Sequence, residues 1–235
     1  MCGRIAQAFP EGALDRLFGS TDVRSRAVNR WNVAPGQGVM AVRRGHGGQR
    51  VVCSADWGFL ASWEKSPEYA KIRPINAKAE TVASSRLFGS AFKSTRCLIP
   101  VRCWYEWKPV ASGLKQPYAM GQTDGAPIAL GGIISVRKPH RDFPAELSIA
   151  IITTAAPASL SDIHHRAPLV VGEDDWSRWL EGGTTDAADV LTRSSAGQVE
   201  AWPVSRMVNR VGTDGPALVE PVEIEAFASP IEGRA

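Results

Sequence analysis

The segment TRCLIPVRCWYEWKPV, residues 95–110, has the composition of a β-strand in the middle of the chain. Aromatic and β-branched residues favour strands, and proline interrupts the run. Alternation along the strand places Trp104, Glu106 and Lys108 on one face and the residues between them on the other. The segment therefore predicts a strand, broken by proline, that carries a carboxylate among large aromatic rings.

Short strands and helices are predicted on both sides of this segment. Gly19 ends an amphipathic helix over 11–20, and residues 39–60 form a hairpin around a glycine-rich basic turn. We expect a loop that leads into a helix over 74–92, strands over 117–122, 127–136, 147–156 and 168–171, helices over 173–183 and 185–196, and a surface tail over 219–235. Because strands outnumber helices without alternating with them, the fold class is α+β. We expect a single domain over 1–235, with a strongly bent antiparallel or mixed sheet or barrel flanked by short helices.

The composition is that of a globular protein, with 44% hydrophobic and 22% charged residues in 235. No apolar run reaches the roughly 18 residues of a membrane helix, and the signal-peptide pattern is missing. We therefore expect a cytoplasmic protein whose four cysteines are reduced. The net charge of +3 permits nucleic-acid binding without arguing for it. The eight tryptophans of the chain could stack on bases, although core packing is favoured for any single one.

Cys2 stands directly behind a removable methionine in the opening residues MCGR. Loss of Met1 would leave an α-amine and a thiol on one residue, with reference pKa values of about 7.7–8.0 and about 8.5. Such a 1,2-aminothiol adds to an aldehyde as an imine, and the thiol then closes a thiazolidine ring. One alternative is an N-terminal nucleophile that attacks amides. An incidental cysteine is the other, and position alone favours it.

Glu106 lies between Tyr105 and Trp107 in the sequence WYEWK. Loss of hydration among rings would raise the pKa of its carboxyl group and suit a general acid–base. A surface glutamate paired with Lys108 is the simpler interpretation when this segment is taken alone.

Two histidines and Arg166 come just before an apolar strand in SDIHHRAPLVV, residues 161–171. Histidine transfers protons near neutral pH, so this run could place an imidazole and a guanidinium at one pocket mouth. No metal site is predicted, because the cysteines lack ligand spacing and His164 and His165 point to opposite faces of an extended chain.

Asn76 and Lys78 lie two residues apart in PINAKAET, residues 74–81, and point the same way if the segment is extended. Asn76 offers both a donor and an acceptor. A turn followed by the start of a helix explains the segment equally well.

Taken together and in order, these stretches resemble the SRAP family of SOS response-associated peptidases and abasic-site-processing proteins. The resemblance spans residues 2–209 and is carried by MCGR at 1–4, WNVAPGQ at 31–37, WGFLASW at 57–63, INAKAET at 75–81, RCLIPVRCWYEW at 96–107, IITTAA at 151–156, IHHRAP at 163–168 and WPVSRMVN at 202–209. No single motif is specific, but eight in order are hard to produce by chance.

The resemblance implies a protein that binds single-stranded DNA at abasic sites and cross-links the sugar aldehyde through its N-terminal cysteine as a thiazolidine. The catalytic residues it implies are Cys2, Asn76, Glu106 and His164. The DNA-binding residues it implies are Arg4, Lys78 and Arg166, with Trp63 stacking on bases. No cofactor or metal is implied, and a largely single-turnover reaction needs only a monomer.

The chain departs from the family pattern at three positions. Lys78 replaces an arginine, which keeps the charge but loses the bidentate fork that grips phosphate. Ala61 replaces a proline and Ala167 a methionine, and the smaller residues suggest a roomier pocket rim. These changes bear on DNA affinity more than on the type of reaction.

The resemblance also implies two side activities. One is self-cleavage of a leader, from which the peptidase name derives, and the other is weak strand cleavage at abasic sites.

Two other classes of function stay open on the sequence. A cysteine hydrolase acting on peptides or amides is the leading alternative, and it would need an oxyanion hole. A non-covalent module for single-stranded DNA, with Cys2 incidental, is the second.

Overall fold

The computed structural model describes residues 2–20, 28–64, 73–110, 113–139 and 145–224, with only the backbone of Val28. Its strands are β1 Ile5–Phe9, β2 Val28–Val33, β3 Gly38–Arg44, β4 Arg50–Trp57, β5 Asn76–Lys78, β6 Arg96–Val101, β7 Cys103–Pro109, β8 Lys115–Gly121, β9 Ile128–Arg137, β10 Glu146–Ala155, β11 Arg166–Pro168 and β12 Glu200–Pro203. Its helices are α1 Ala13–Phe18, α2 Ala79–Val82, α3 Gly89–Ser94, α4 Ala158–Ser161, α5 Trp176–Leu180 and α6 Thr184–Val190. Short 3₁₀ turns cover Glu173–Asp175, Ser195–Gln198, Arg206–Asn209 and Pro216–Val219.

Two sheets form the framework of the described chain. The first has the strand order β12-β8-β7-β1-β2, and its neighbours are antiparallel. The second has the order β11-β10-β4-β3-β6-β9, and β9 also pairs with β10. That extra pairing joins β10, β4, β3, β6 and β9 into a ring. The expected α+β fold with a strongly bent mixed sheet or barrel is therefore confirmed.

The central segment 95–110 differs from its prediction, because it forms two strands that belong to different sheets. Pro100 lies inside β6 opposite Ala129 of β9, so proline does not end the strand. The chain changes sheets at Arg102, whose N–H donates to the Ala6 carbonyl oxygen at 2.8 Å. This change depends on which partner strand takes over the backbone hydrogen bonds, and the local sequence does not carry that information.

Other local predictions are confirmed or adjusted. The helix over 11–20 is α1, with Gly19 at its end in the left-handed region at φ 61°. The hairpin over 39–60 is β3 and β4 in antiparallel register. The loop expected after residue 74 contains β5, which pairs in parallel with Ile151–Thr153 of β10. The expected tail is described only to residue 224, so its remainder lies outside the described residues.

The buried residues of the described segments form three clusters, and β7 separates two of them. Trp104 packs in one cluster with Cys2 and residues of the ring-like sheet, whereas Cys103 and Tyr105 pack on the far side with Val204 and other residues of the C-terminal turns. The alternation predicted for β7 is thus confirmed. It places Glu106, which follows the parity of Trp104, toward the side of the first sheet where Cys2 lies.

Candidate active site

Cys2 is buried near the start of the chain, with none of its surface exposed. The Asn76 side chain donates a hydrogen bond from Nδ2 to the Cys2 carbonyl oxygen at 2.9 Å. Strand β1 begins three residues later and pairs with both β2 and β7. The sheet and this hydrogen bond therefore hold a chain end that would otherwise fray.

The surroundings of Cys2 keep its thiol protonated near neutral pH. Burial raises the pKa of the thiol well above its ordinary value, and the Glu106 carboxylate raises it further. A backbone hydrogen bond from Arg4 acts in the opposite direction. Glu106 therefore lies within electrostatic range of the thiol. A thiol with a raised pKa needs a base before it can react as a thiolate.

Glu106 is 3% exposed and lies on β7 opposite Tyr118 of β8. The simpler interpretation, a surface glutamate paired with Lys108, is therefore wrong. Burial raises the pKa of the Glu106 carboxyl group, and an electrostatic interaction with His165 acts against that rise. A buried carboxyl group with a raised pKa exchanges protons closer to neutral pH than an exposed one does.

The side-chain amide of Asn76 places both its nitrogen and its oxygen in this region. Its Nδ2 holds the Cys2 carbonyl oxygen, while its Oδ1 is buried and accepts no hydrogen bond from the residues that the structure describes. A buried oxygen of this kind lowers the stability of the fold unless it accepts a hydrogen bond. We call Cys2, Asn76 and Glu106 the inner site.

His164 and His165 stack on each other, with ring centroids 4.4 Å apart and an angle of 22° between the planes. The opposite faces predicted for an extended chain do not apply, because the chain turns after α4 and is not extended there. The Nδ1 atom of His164 accepts the Arg166 N–H at 2.9 Å. That assignment places the proton of the neutral ring on Nε2. Burial lowers the pKa of His164, so the ring is mainly neutral at pH 7.

Arg166 binds a carboxylate that the sequence did not single out. Its Nη1 and Nη2 atoms lie 2.5 and 2.9 Å from Oε1 and Oε2 of Glu80, which is a bidentate ion pair. Nη2 also donates to the Thr153 carbonyl oxygen at 2.5 Å. Lys78 is exposed, and its charge contributes to lowering the pKa of Glu80. We call Lys78, Glu80 and Arg166 the outer surface.

Arg4 is partly buried, and its side chain binds other groups of the protein. Its Nη1 donates to Asn32 Oδ1 and to the Val208 carbonyl oxygen, each at 2.6 Å. Its guanidinium carbon lies 5.7 Å from the centroid of the Trp107 ring. These contacts tie the strand that follows Cys2 to the C-terminal 3₁₀ turns.

Trp63 is 56% exposed and lies away from the histidines. It lines a cavity of about 90 Å³ with Ser135 and Val136, which pair with the first residues of β10. Arg166 pairs with Ala155 at the other end of β10, about 23 Å further along the strand. The structure therefore does not bring Trp63 to the His164 end.

Ala61 and Ala167 are both buried, at 3% and 1% exposure. Each packs in the hydrophobic core, and Ala61 also lines the cavity beside Trp63. The smaller side chains at these two positions are accommodated inside the fold.

Sequence reasoning missed Glu80 and Asn32, the residues that bind the two arginines. Glu80 lies inside the quoted INAKAET segment, and an acid next to a predicted phosphate-binding lysine was the available signal. Asn32 gave no such signal, because its side chain meets Arg4 and the backbone of the C-terminal turns only in the folded chain.

No group of three or more His, Cys, Asp or Glu side chains is arranged around a common point within the described ranges. Among the same residues, every helix is too short or too polar to span a membrane.

The family model for the SOS response associated peptidase (SRAP) matches residues 1–211. The abasic site processing protein YedK of Escherichia coli is 31% identical over 231 residues, which cover 94% of this chain and 100% of that protein. The abasic site processing protein YoaM of Bacillus subtilis is 28% identical over 228 residues, which cover 94% and 98%.

A solved structure of a protein from Bacteroides thetaiotaomicron has the same fold. It superposes with a TM-score of 0.81 at 20% identity, over 94% of this chain and all of that one. At this identity the likeness bears on the fold alone.

Proposed function

The chain belongs to the SRAP family, and on that premise we propose that it processes abasic sites in DNA. The proposed reaction is a covalent cross-link between Cys2, after removal of Met1, and the ring-opened sugar of an abasic site in single-stranded DNA. The observation that carries the proposal is the placement of Cys2 beside a buried carboxyl group, with its carbonyl oxygen held by Asn76. This position suits an N-terminal aminothiol that must be fixed in place to react.

The proposed chemistry has two bond-forming steps. The α-amine of Cys2 adds to the C1′ aldehyde, and loss of one water gives an imine. The sulfur then bonds to C1′, and the thiol proton ends on nitrogen, which closes the thiazolidine ring. Overall, protein and DNA are joined and one water is released, with no oxidant or reductant.

We assign the proton transfers to the buried groups around Cys2. Glu106 takes a proton from the amine or the thiol and returns it when water leaves, since its raised pKa suits both directions. His164, mainly neutral at pH 7, assists opening of the sugar ring. Asn76 fixes the Cys2 backbone, and its buried Oδ1 accepts an N–H of the amine.

We assign DNA binding chiefly to the outer surface. Lys78 and Arg166 lie next to the inner site and attract backbone phosphates. Trp63 stacks on a base further along the strand. Arg4 contributes less, because Nη1 already binds two protein oxygens. One chain supplies every proposed residue, so we propose that it acts as a monomer.

The test is a denaturing gel of the purified protein mixed with an oligonucleotide that carries one abasic site. We expect a shifted band for the wild type and none for Cys2→Ala, which keeps the amine but loses the sulfur. Cys53→Ala is the matched control, because Cys53 is a free and less buried cysteine, and its band is expected to persist. The absence of a shifted band with the wild type, once intact mass shows that Met1 is gone, would contradict the proposal.

The same preparation discriminates the two alternatives. Peptide cleavage without cross-linking would indicate a cysteine hydrolase. Binding that is unchanged by Cys2→Ala and independent of the abasic site would indicate a non-covalent DNA-binding module.

A further inference from the structure

The Arg166 guanidinium binds a carboxylate in the bidentate geometry in which arginine also binds a phosphate. Both Glu80 oxygens face the two Nη atoms, so the fork that suits a planar oxyanion is already filled. The Arg166 side chain is 14% exposed and that of Glu80 is 53% exposed. The acid therefore lies on the solvent side of the arginine, where an incoming anion arrives.

The two partners of this ion pair are not anchored equally. Arg166 is fixed by its strand pairing in β11 and by the hydrogen bond from Nη2 to the Thr153 carbonyl oxygen. Glu80 lies in the first turn of the four-residue helix α2, and Arg166 holds its carboxylate. Because the Glu80 side chain is 53% exposed, water solvates its carboxylate when it turns away, while Arg166 stays in place.

Glu80 also sets the charge of the outer surface. The hydrogen bond from Arg166 lowers the pKa of Glu80, and Lys78 adds to this effect, so the acid is ionised at neutral pH. Lys78, Arg166 and Glu80 together carry a formal charge of +1, against +2 without the acid. A DNA phosphate therefore meets a weaker attraction here than two cations alone would give.

We propose that Glu80 is a built-in competitor for the DNA backbone, which occupies the Arg166 fork until a phosphate displaces it. The proposal rests on the proposed function, because it takes DNA phosphate as the anion. Glu80 thereby lowers the affinity for any single strand and makes tight binding depend on additional contacts at the inner site. It is a positioning residue that acts through Arg166.

The test measures equilibrium binding of the full chain to a single-stranded oligonucleotide with a tetrahydrofuran abasic analogue. This analogue has no aldehyde, so it cannot cross-link, and fluorescence anisotropy over a salt series reports binding alone. Glu80→Gln is expected to bind about fivefold tighter at low salt. The plot of log affinity against log salt is expected to be steeper by about 0.7.

Glu181→Gln is the matched control, because Glu181 forms a comparable exposed ion pair with Arg50, with Nε and Oε1 2.7 Å apart. Its affinity and salt dependence are expected to equal those of the wild type. In an Arg166→Gln background, Glu80→Gln is expected to tighten binding clearly less than fivefold, because the fork is gone and only the change in surface charge remains. This cycle separates competition for Arg166 from a general change in surface charge.

Binding by Glu80→Gln that is unchanged or weaker would overturn the proposal, and so would a gain of the same size without Arg166. A melting temperature within about 2 °C of the wild type shows that the variant is folded. Cross-linking of a true abasic site by the wild type is run in parallel. If that cross-link forms while Glu80→Gln binds normally, only the competitor fails; if it does not form, the proposed function fails.

Discussion

The inner site and the outer surface lie beside each other but obey different physical rules. Cys2 and Glu106 are almost completely buried, so burial determines their protonation and raises both pKa values. Lys78 and Glu80 are exposed, so their charges respond to salt and to incoming anions. Substitutions inside are therefore expected to change the rate of reaction, and substitutions outside to change DNA affinity.

The largest effect is expected for Cys2→Ser, which keeps the amine and replaces the sulfur with oxygen. The imine can form, but the stable thiazolidine cannot, so the cross-link on a denaturing gel should disappear. The imine, which no sulfur converts to a ring, permits β-elimination, and strand cleavage should exceed that of the wild type. A stable band with Cys2→Ser, without reductive trapping, would place the cross-link on another residue.

Glu106→Gln is expected to slow cross-linking by about 100-fold at saturating DNA, because a general acid–base contributes about 10²–10⁴-fold. DNA affinity, measured with the tetrahydrofuran analogue, should stay the same, since the residue is buried. Single-turnover rates on an abasic oligonucleotide provide the measurement. A rate equal to that of the wild type would remove Glu106 from the mechanism.

The same variant tests the burial of the carboxyl group through stability. Below the ordinary pKa of 4.5 the carboxyl group is protonated in both the folded and the unfolded chain, so its ionisation does not affect the free energy of unfolding. As pH rises, the unfolded chain loses the proton first, so ionisation lowers the free energy of unfolding until pH passes the raised folded pKa. Urea unfolding should show Glu106→Gln gaining stability over the wild type as pH rises above 4.5. A constant difference would contradict the raised pKa.

Asn76→Ala is expected to slow cross-linking by about tenfold, because the Cys2 backbone loses the group that positions it. The lost hydrogen bond should also lower the free energy of unfolding by about 1–3 kcal/mol. Rates at saturating DNA and urea unfolding measure the two effects. A loss of stability with an unchanged rate would make Asn76 structural only.

The smallest effect is expected for Lys78→Ala on the outer surface. Losing one exposed cation should weaken binding of the tetrahydrofuran oligonucleotide about threefold and make its salt dependence shallower by about 0.7. The cross-linking rate at saturating DNA should not change. A change in that saturated rate would show that the two regions are not separable.

Local structure was predictable from the sequence, whereas long-range pairing was not. Alternation correctly separated the two faces of β7, and apolar spacing correctly gave α1, because these patterns depend on neighbouring residues. Closure of the ring by β9 and β10 depends on partners that local patterns do not specify. The sequence could not show the contact of Arg166 with Glu80 either, because the two residues are 86 positions apart.

The site residues divide in the same way. The motif resemblance named Cys2, Asn76 and Glu106, and the fold brings them together. It also named Arg4 and Arg166, but not the protein groups that already bind them. Such partners come from tertiary packing, which a list of motifs does not contain.

The most direct test of the central claim is the intact mass of the adduct between the protein and an abasic oligonucleotide, followed by mapping of the modified peptide. We expect the mass of the chain without Met1 plus that of the DNA, less one water, with the modification on the peptide that begins at Cys2. An adduct on any other residue, or one that appears only after chemical reduction, would contradict it.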